Sequence, residues 1–493
     1  MGTRGQRQLL ASSSFNLGVQ RYLLIRHELL TLHANDMLKL TIVAIFALLV
    51  SSSPSSVHAL PTSSASTTST IVGQVPTVTN LQGVVDPHLF RQNLHQTFAK
   101  YRFAPPGGNA TSTVTLNGTT TTTSPQSSSM QRVPHKKRSE GDSPTRIGLG
   151  VITREPAIGL YTAEMSFGTP AQTRHLLLDT GSSDLFIQDS CKQGAGCAGN
   201  YLWRKSSTFR DTGNTASLSY VSDSVTGRIV TDRVSFGGRT VEKQAFLSVP
   251  DSGTPGAAGN IGLGLNAQSN PAIGTPLIEN LRARGQLGPY NSFSLRLDRD
   301  GNKAALNLGV WTGKGSFTLP YSKYKVMYPE LLGRWALEMK TLSVRPGYGE
   351  QWRGSIAVFI DSGSSSSFVP REAARIAHSK VEHFVETVPV PLQGQVYDVD
   401  IYFYPCDAKI DYAIEFAGGL SGSRDFRSDP RDQALGSDGN GMCQSMLNGV
   451  DIEYNGLKAG ILGAPWLKSK DVLFYVGSDS SNTGATISIM DGL

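Results

Sequence analysis

The sequence has few of the residues on which metal-dependent and thiol-dependent enzymes rely. Its 493 residues include four cysteines and nine histidines, and only three of the histidines follow Arg138. No His-Glu-x-x-His zinc motif, no Gly-x-Ser-x-Gly nucleophile turn and no phosphate-binding loop occurs. No Cys-His arrangement supplies a cysteine nucleophile. We therefore expect no metal, no cofactor, and neither serine nor cysteine chemistry.

Hydrophobic runs long enough to cross a membrane are also missing. The apolar run Leu40–Val50 follows Met37-Leu-Lys39 and is too short to span a bilayer. With the small-residue exit Val57-His-Ala59 it has the layout of a signal peptide. We expect residues 1–59 to hold this signal, with the true start at Met37; a signal anchor is the alternative. No long apolar tail follows Ile489, which favours a freely secreted product without a stable membrane anchor.

Positive charge is in excess only near the N-terminus. Residues 1–138 contain 12 Lys and Arg against 3 Asp and Glu, whereas the remainder contains 33 against 36. The formal net charge of +6 therefore arises from the first segment. A mildly acidic remainder gives no reason to expect nucleic acid as a partner. It does suggest that charge attraction holds the basic segment on the acidic remainder of the chain.

Residues 60–138 have the composition of a propeptide. Ser/Thr-rich tracts flank a helix-like stretch, Asp86–Tyr101, and the second tract includes one of two glycosylation sequons, at Asn109 and Asn117. The segment ends in Lys136-Lys137-Arg138. We expect a dibasic-cutting secretory protease to use Lys137 and Arg138 as its processing site, and a solvated charge cluster is the alternative.

Two near-copies of one short pattern are the strongest signal in the chain. His175-Leu-Leu-Leu-Asp179-Thr-Gly-Ser-Ser183 and Val358-Phe-Ile-Asp361-Ser-Gly-Ser-Ser365 each place one carboxylate on a tight turn after an apolar run. A single Asp-[Ser/Thr]-Gly is an ordinary turn. Two copies with matched flanks indicate a paired function.

Paired carboxylates can act as acid and base together. Two that lie close must share one proton. The ionised member can then take a proton from water while its partner hydrogen-bonds the carbonyl oxygen under attack. We expect Asp179 and Asp361 to be the catalytic pair. The residues after each Asp should support the pair: Thr180, Gly181, Ser182, Ser362, Gly363 and Ser364. Gly181 and Gly363 let backbone N–H groups approach the carboxylate, and Ser182 and Ser364 can donate hydroxyls to it.

From about Ile152 to the C-terminus the chain resembles the pepsin-like aspartic proteases, in a secreted fungal precursor form. Pepsin itself is the standard example of a shared-proton pair. Besides the two turns, Tyr161–Pro170 is similar to the family's opening strand, and Ile461-Leu-Gly463 to its closing apolar-apolar-Gly segment, which Gly262–Leu265 matches in the first half. The resemblance implies a mainly β, bilobal fold built by internal duplication. We place the N-terminal lobe at residues 139–312 and the C-terminal lobe at 313–493.

The resemblance also assigns a flap over the cleft. The stretch Leu218–Gly227 alternates apolar and polar residues, as a β-hairpin does. Tyr220 matches the family's flap tyrosine, and Ser222 and Asp223 are further candidates for substrate contact. Two departures stand out, since the family usually has Gly at Val221 and Asp223 and Trp at Phe186. We expect the flap to be softer or differently anchored.

Cysteine positions and one basic pair complete the resemblance. Cys191 and Cys197, like Cys406 and Cys443, match places where the family has disulfides; free buried thiols are the alternative. In the family a propeptide Lys-Tyr binds at the carboxylate pair, and Lys100-Tyr101 is the candidate here.

A helix is predicted for Arg371–His378, after Pro370.

The resemblance therefore implies an acid endopeptidase that is made as a zymogen and cuts internal bonds of extended polypeptides. Its expected partners are polypeptide substrates, its own propeptide as an intramolecular inhibitor, and pepstatin-type inhibitors, and we expect a monomer. The localisation is secreted, with a vacuolar alternative. The other function class is a non-catalytic protein of the same fold that binds a protein or a glycan.

Overall fold

The computed structural model describes most of the chain from residue 160 onwards. It describes residues 160–189, 199–219, 224–250, 257–298, 304–309, 322–328, 333–345, 349–392, 395–419, 424–468 and 470–491. Before residue 160 it describes the backbone of four short strands and seven single positions, which are 85, 90, 91, 94, 97, 98 and 100. The chain divides into two units, Met1–Thr70 and Ile71–Leu493, and all described residues belong to the second.

Strands dominate the described residues, as the sequence predicts. In the first half they are β1 (Ser112–Leu116), β2 (Thr119–Thr123), β3 (Thr145–Gly148), β4 (Gly150–Val151), β5 (Tyr161–Phe167), β6 (Gln172–Asp179), β7 (Leu185–Gln188), β8 (Arg210–Ser219), β9 (Ser224–Phe236), β10 (Arg239–Val249), β11 (Gly259–Gly262), β12 (Ser292–Arg296) and β13 (Ala305–Leu308). In the second half they are β14 (Ser322–Lys325), β15 (Ala336–Val344), β16 (Gln351–Ile360), β17 (Ser367–Val369), β18 (Phe384–Leu392), β19 (Gln395–Pro405), β20 (Tyr412–Phe416), β21 (Asp425–Arg427), β22 (Ala434–Ser437), β23 (Met442–Ser445), β24 (Leu447–Gly449), β25 (Ile452–Tyr454), β26 (Leu457–Leu462), β27 (Lys470–Tyr475) and β28 (Thr486–Asp491).

Helices are short. They are α1 (Leu277–Ala283), α2 (Arg371–His378) and α3 (Ala464–Leu467), with 3₁₀ turns at Trp203–Lys205, Asn266–Gln268 and Pro430–Asp432. The predicted helix Arg371–His378 is confirmed. It begins directly after Pro370, and Glu372 in its first turn and Arg375 in its last turn both suit the helix dipole.

The strands form three large sheets. An eight-stranded sheet of the first half has the order β4-β5-β6-β11-β7-β10-β9-β8, and a twelve-stranded sheet of the second half is built around β21-β20-β15-β16-β26-β17-β24-β19-β23-β22. A six-stranded sheet, β14-β28-β27-β12-β13-β3, draws strands from both halves. The strands β12 and β27, which pair antiparallel, join the halves in a continuous sheet.

The two halves repeat one arrangement, which confirms the predicted duplication. In the first half β6 lies parallel to β11, and β11 lies antiparallel to β7. In the second half β16 lies parallel to β26, and β26 lies antiparallel to β17. The end of β6 is buried on both faces, as parallel central strands are. The predicted lobe boundary at residues 312 and 313 lies outside the described residues.

Aromatic side chains fill the junction between the halves. Phe293 of β12 stacks on Phe474 of β27 with ring centroids 4.8 Å apart, and Trp335 packs edge-on to Phe474 at 5.0 Å. The Trp335 indole N–H donates to the carbonyl of Leu263 at 2.9 Å. This buried hydrogen bond joins a residue of the second half to the segment that follows β11.

Part of the predicted propeptide helix is described and packs against the second half. Its described positions from Phe90 to Lys100 are helical. Phe90, Leu94 and Phe98 are buried in a hydrophobic cluster with side chains of β16, β17, β18 and β19. The three apolar residues are four positions apart and therefore lie on one face of the helix.

Candidate active site

The two Asp turns lie at the ends of equivalent strands. Asp179 is the last residue of β6, and its backbone carbonyl accepts from the N–H of Leu263 at 2.8 Å. Asp361 follows β16 directly, and its N–H donates to the carbonyl of Leu462 at 3.0 Å. Both carboxylates are buried, with 2% and 0% of the residue exposed. The parallel neighbour strand of each half therefore fixes the backbone that carries each carboxylate.

Thr180 and Ser362 lock the two turns together. The N–H of Thr180 donates to the Ser362 hydroxyl at 3.1 Å, and the N–H of Ser362 donates to the Thr180 hydroxyl at 2.9 Å. Each hydroxyl then donates across to the other half, to the carbonyl of Ile360 or of Leu178, at 2.8 Å in both cases. The hydroxyls of Thr180 and Ser362 therefore support the site by joining the two turns to each other.

Backbone N–H groups bind both carboxylates in the same way. Gly181 N–H donates to Asp179 Oδ1 at 2.9 Å, and Gly363 N–H donates to Asp361 Oδ1 at 2.8 Å. The Ser182 hydroxyl also donates to Asp179, as predicted. The same prediction for Ser364 is wrong, because its hydroxyl donates to the carbonyl of Ser366 at 2.8 Å. The equivalent hydroxyls of Ser182 and Ser364 therefore have different acceptors.

Glycine is required at both turns by close approach. A Cβ added at Gly181 would lie 2.5 Å from Asp361 Oδ1, and one added at Gly363 would lie 2.5 Å from Asp179 Oδ1. Contacts that short do not occur between a Cβ and a side-chain oxygen without a shift of one of them. Each glycine thus makes room for the carboxylate of the opposite half.

The Lys100 ammonium lies between the two carboxylates. Its Nζ donates to Asp179 Oδ1 at 2.5 Å and to Asp361 Oδ1 and Oδ2 at 2.7 and 2.8 Å. Its side chain is 7% exposed. This is the position that the resemblance assigned to Lys100, and Tyr101 lies outside the described residues. One ammonium can bridge the pair only because the two carboxylates face each other across the junction of the halves.

Burial raises the pKa of Asp179 above its usual value. The positive charge of Lys100 acts in the opposite direction, the neighbouring Asp361 carboxylate raises the pKa further, and the Ser182 hydroxyl lowers it. Burial has the largest effect because the low-dielectric surroundings disfavour the charged form. Such a group can hold a proton at a pH where an exposed aspartate is ionised.

Three side chains that the sequence analysis did not identify support the first turn. The Asn260 amide donates to Ser182 Oγ at 3.0 Å and so orients the hydroxyl that binds Asp179. Gln268 Nε2 and Arg334 Nη1 both donate to the carbonyl of Gly181, at 2.5 and 2.8 Å. These contacts join residues 78 to 153 positions apart. No local motif marks them in the sequence.

The predicted hairpin is present, but its tip lies outside the described residues. Strands β8 and β9 pair antiparallel down to Ser219 and Ser224. The tip includes the flap candidates Tyr220, Ser222 and Asp223, so their predicted contacts are not described. Phe186, which stands where the family usually has Trp, is buried in a cluster with Leu218 and Val225, which pair near the tip end of the hairpin.

One of the two predicted disulfides is described and confirmed. Cys406 and Cys443 are bonded with an S–S distance of 2.03 Å. Cys191, Cys197 and the processing residues Lys137 and Arg138 lie outside the described residues. The described part of the chain contains no group of His, Cys, Asp and Glu side chains suited to a metal ion. It also has no helix of the length and apolar character needed to cross a membrane.

Comparison with known proteins identifies the family. The family described as eukaryotic aspartyl protease matches residues 160–485, which is well over half of the chain. The chain therefore belongs to this family, and it is an aspartic-type endopeptidase with a mainly β, bilobal, pepsin-like fold.

Several curated proteases are similar to this chain over most of the same region. Vacuolar protease A of Neurospora crassa is 26% identical over 335 residues, which cover 65% of this chain and 77% of that protein. Cathepsin D of Bos taurus is 27% identical over 328 residues, covering 62% and 78%. Major aspartyl peptidase 1 of Cryptococcus neoformans is 25% identical over 338 residues, and this chain spans 65% of its length.

Proposed function

We propose that Asp179 and Asp361 are the catalytic pair of an acid endopeptidase that hydrolyses internal bonds of extended polypeptides. The observation that carries the proposal is the single ammonium of Lys100 bound by both carboxylates. Two carboxylates close enough to bind one cation are close enough to compete for one proton. The remaining support is the reciprocal bonding of Thr180 and Ser362, which holds the turns at a fixed separation.

The proposed chemistry needs one proton shared by the pair. The ionised carboxylate takes a proton from a water molecule as its oxygen attacks the peptide carbonyl carbon, and the protonated partner donates to the carbonyl oxygen. The C–N bond then breaks and the departing nitrogen receives a proton from the pair. The pair is inactive when both groups are protonated and again when both are ionised, so the rate should form a bell on the acid side.

We also propose that the chain is a zymogen, with a signal in residues 1–59, a propeptide at 60–138 and two lobes at 139–312 and 313–493. Lys100 occupies the space that a substrate needs, which supports inhibition by the propeptide. The strand β3 supports a cut after Arg138. It follows this site and pairs with β13 while the propeptide is still attached, so processing need not displace it.

The proposed destination of the enzyme is the exterior of the cell. The Cys406–Cys443 disulfide supports passage through an oxidising compartment. A vacuolar enzyme is the alternative, since one of the similar proteins is named a vacuolar protease. We also propose that the β8–β9 hairpin closes as a flap over the polypeptide substrate, with Tyr220, Ser222 and Asp223 at its tip.

Digestion of a denatured protein by the secreted enzyme tests the proposal. Cleavage should be greatest at acid pH, should be absent at neutral pH, and should be blocked by a pepstatin-type inhibitor. N-terminal sequencing of the secreted protein should find a start at Ser139. A rate that rises steadily through pH 8 would contradict the carboxylate mechanism, and a fully active protein that begins near Leu60 would contradict the zymogen.

A further inference from the structure

Arg334 is a buried arginine at the junction of the two halves. Only 4% of the residue is exposed. It precedes β15, and its guanidinium lies over the rings of Phe359 and Tyr454, at 5.4 and 5.0 Å from their centroids. Two aromatic faces hold the cation by stacking and by the attraction between a cation and a ring. Its planar group is therefore held in one orientation in this structure.

The same guanidinium bonds two different parts of the site. Nη1 donates to the carbonyl of Gly181, in the turn that carries Asp179, at 2.8 Å. Nη2 donates to the backbone carbonyl of Lys100 at 3.3 Å. Lys100 is the residue whose ammonium lies between the carboxylates. Arg334 therefore ties the backbone of the chain in the cleft to the turn of one catalytic aspartate.

The contact with Lys100 uses no feature of the lysine side chain. It engages a main-chain carbonyl, which every residue of a polypeptide possesses. We propose that Arg334 is a substrate-binding residue that donates to a main-chain carbonyl of the polypeptide beside the scissile bond. This inference rests on the proposed endopeptidase function. In the precursor the propeptide uses the hydrogen bond that the substrate uses later.

Such a bond should affect substrate binding more than the chemical step. It holds a carbonyl that does not react, so it is present both in the bound substrate and in the transition state, and its loss raises KM. The turn of Asp179 keeps a donor when Arg334 is replaced, because Gln268 also donates to the Gly181 carbonyl. We expect Arg334→Met to raise KM about tenfold or more, as losing a hydrogen bond from a charged donor does, and to lower kcat by a smaller factor.

A scan with thioamide peptides tests the proposal on the processed enzyme. A peptide substrate is prepared in versions that carry sulfur in place of oxygen at one backbone carbonyl near the scissile bond. Sulfur is the weaker acceptor. At one position the thioamide should raise KM for the wild-type enzyme and for Arg345→Met, but not for Arg334→Met. Arg345→Met is the matched control, because Arg345 follows the other end of β15 and pairs with Asp425 at 2.6 Å.

Arg334→Lys is a second variant, so the test does not depend on whether Arg334→Met folds. It retains a cation but lacks the fork of donors, so it should show a raised KM and a reduced thioamide effect at the same position. Thioamide effects that are equal in wild type and in both Arg334 variants would overturn the role of Arg334 while leaving the endopeptidase intact. A wild-type enzyme that cleaves no peptide would instead overturn the proposed function.

Discussion

Thr180 and Ser362, 182 positions apart, each donate a backbone N–H to the other's hydroxyl, at 3.1 and 2.9 Å. Each hydroxyl in turn donates a hydrogen bond to a carbonyl of the opposite half. Neither residue can be satisfied without its partner. The separation of the two aspartates is therefore set by four hydrogen bonds in which both halves take part equally.

Removing either hydroxyl should weaken this connection. Thr180→Val or Ser362→Ala leaves buried N–H and carbonyl groups unpaired, which costs about 1–3 kcal/mol for each group. We expect a lower free energy of unfolding and a lower kcat, measured by denaturant titration and by peptide hydrolysis. Thr180→Ser, which keeps the hydroxyl, is the control and should retain both.

The two substitutions should not be additive. Because both hydroxyls belong to one network, the double variant should lose less than the sum of the single losses. Additive losses would show that the two turns are held independently.

Hydrophobic packing should govern release of the propeptide. Phe98 is fully buried and packs against Phe368 and Tyr397, with ring centroids 5.1 and 6.0 Å away. Replacing a buried Phe with Ala costs about 3–5 kcal/mol. Phe98→Ala should therefore shift activation of the precursor to a higher pH, measured as the fraction of active enzyme after incubation across a pH series.

The matched control for Phe98 is Arg91. Its ion pair with Glu386 spans 3.5 Å between side chains that are 59% and 50% exposed, and exposed pairs contribute little. Arg91→Ala and added salt should therefore leave the activation pH nearly unchanged. This differs from the charge attraction that the sequence suggests. If salt releases the propeptide as readily as Phe98→Ala does, the apolar account is wrong.

His378 should limit stability in acid. It is fully buried, its ring stacks on Tyr402 at 4.0 Å, and burial lowers its pKa from 6.5 to about 3. The unfolded chain therefore binds a proton below pH 6.5 that the folded protein does not bind until about pH 3. Over this interval the protein loses stability as the pH falls, by about 1.4 kcal/mol per pH unit.

His378→Gln should remove this component. The free energy of unfolding is measured in denaturant between pH 6.5 and 3.5. As the pH falls it should decrease less steeply in the variant, because the unfolded variant takes up one proton fewer over this interval. The variant should be less stable at neutral pH, since the ring nitrogens contact the Ala374 carbonyl and the Ser445 hydroxyl. Identical slopes would mean that His378 takes up its proton in the folded protein as well.

The sequence predicts the parts of the site that depend on short motifs. The two Asp turns, the hairpin, the helix after Pro370 and the Cys406–Cys443 disulfide follow from local pattern or from the resemblance. Ser364 shows the limit of this reasoning. It matches Ser182 in the repeat, yet its hydroxyl donates to the carbonyl of Ser366 and not, as Ser182 does, to the aspartate of its own turn.

Contacts between residues far apart in the sequence could not be predicted. Asn260, Gln268 and Arg334 reach the first turn from 78 to 153 positions away, and each has an ordinary local sequence. Folding of the first half brings Asn260 to Ser182 and Gln268 to the Gly181 carbonyl, and packing of the two halves brings Arg334 to the same carbonyl. Lys100 was accessible to prediction because the resemblance supplied the expectation that a basic pair occupies the site.

The most direct test of the account is the activity of Asp179→Asn and Asp361→Asn. Each change removes a carboxylate that can share the proton and keeps nearly the same shape, so the precursor should still fold and be secreted. We predict that kcat/KM of each processed variant falls at least about 10²–10⁴-fold, as expected for loss of a general acid or base. If either single variant keeps a tenth or more of the wild-type kcat/KM, catalysis does not depend on the Asp179–Asp361 pair.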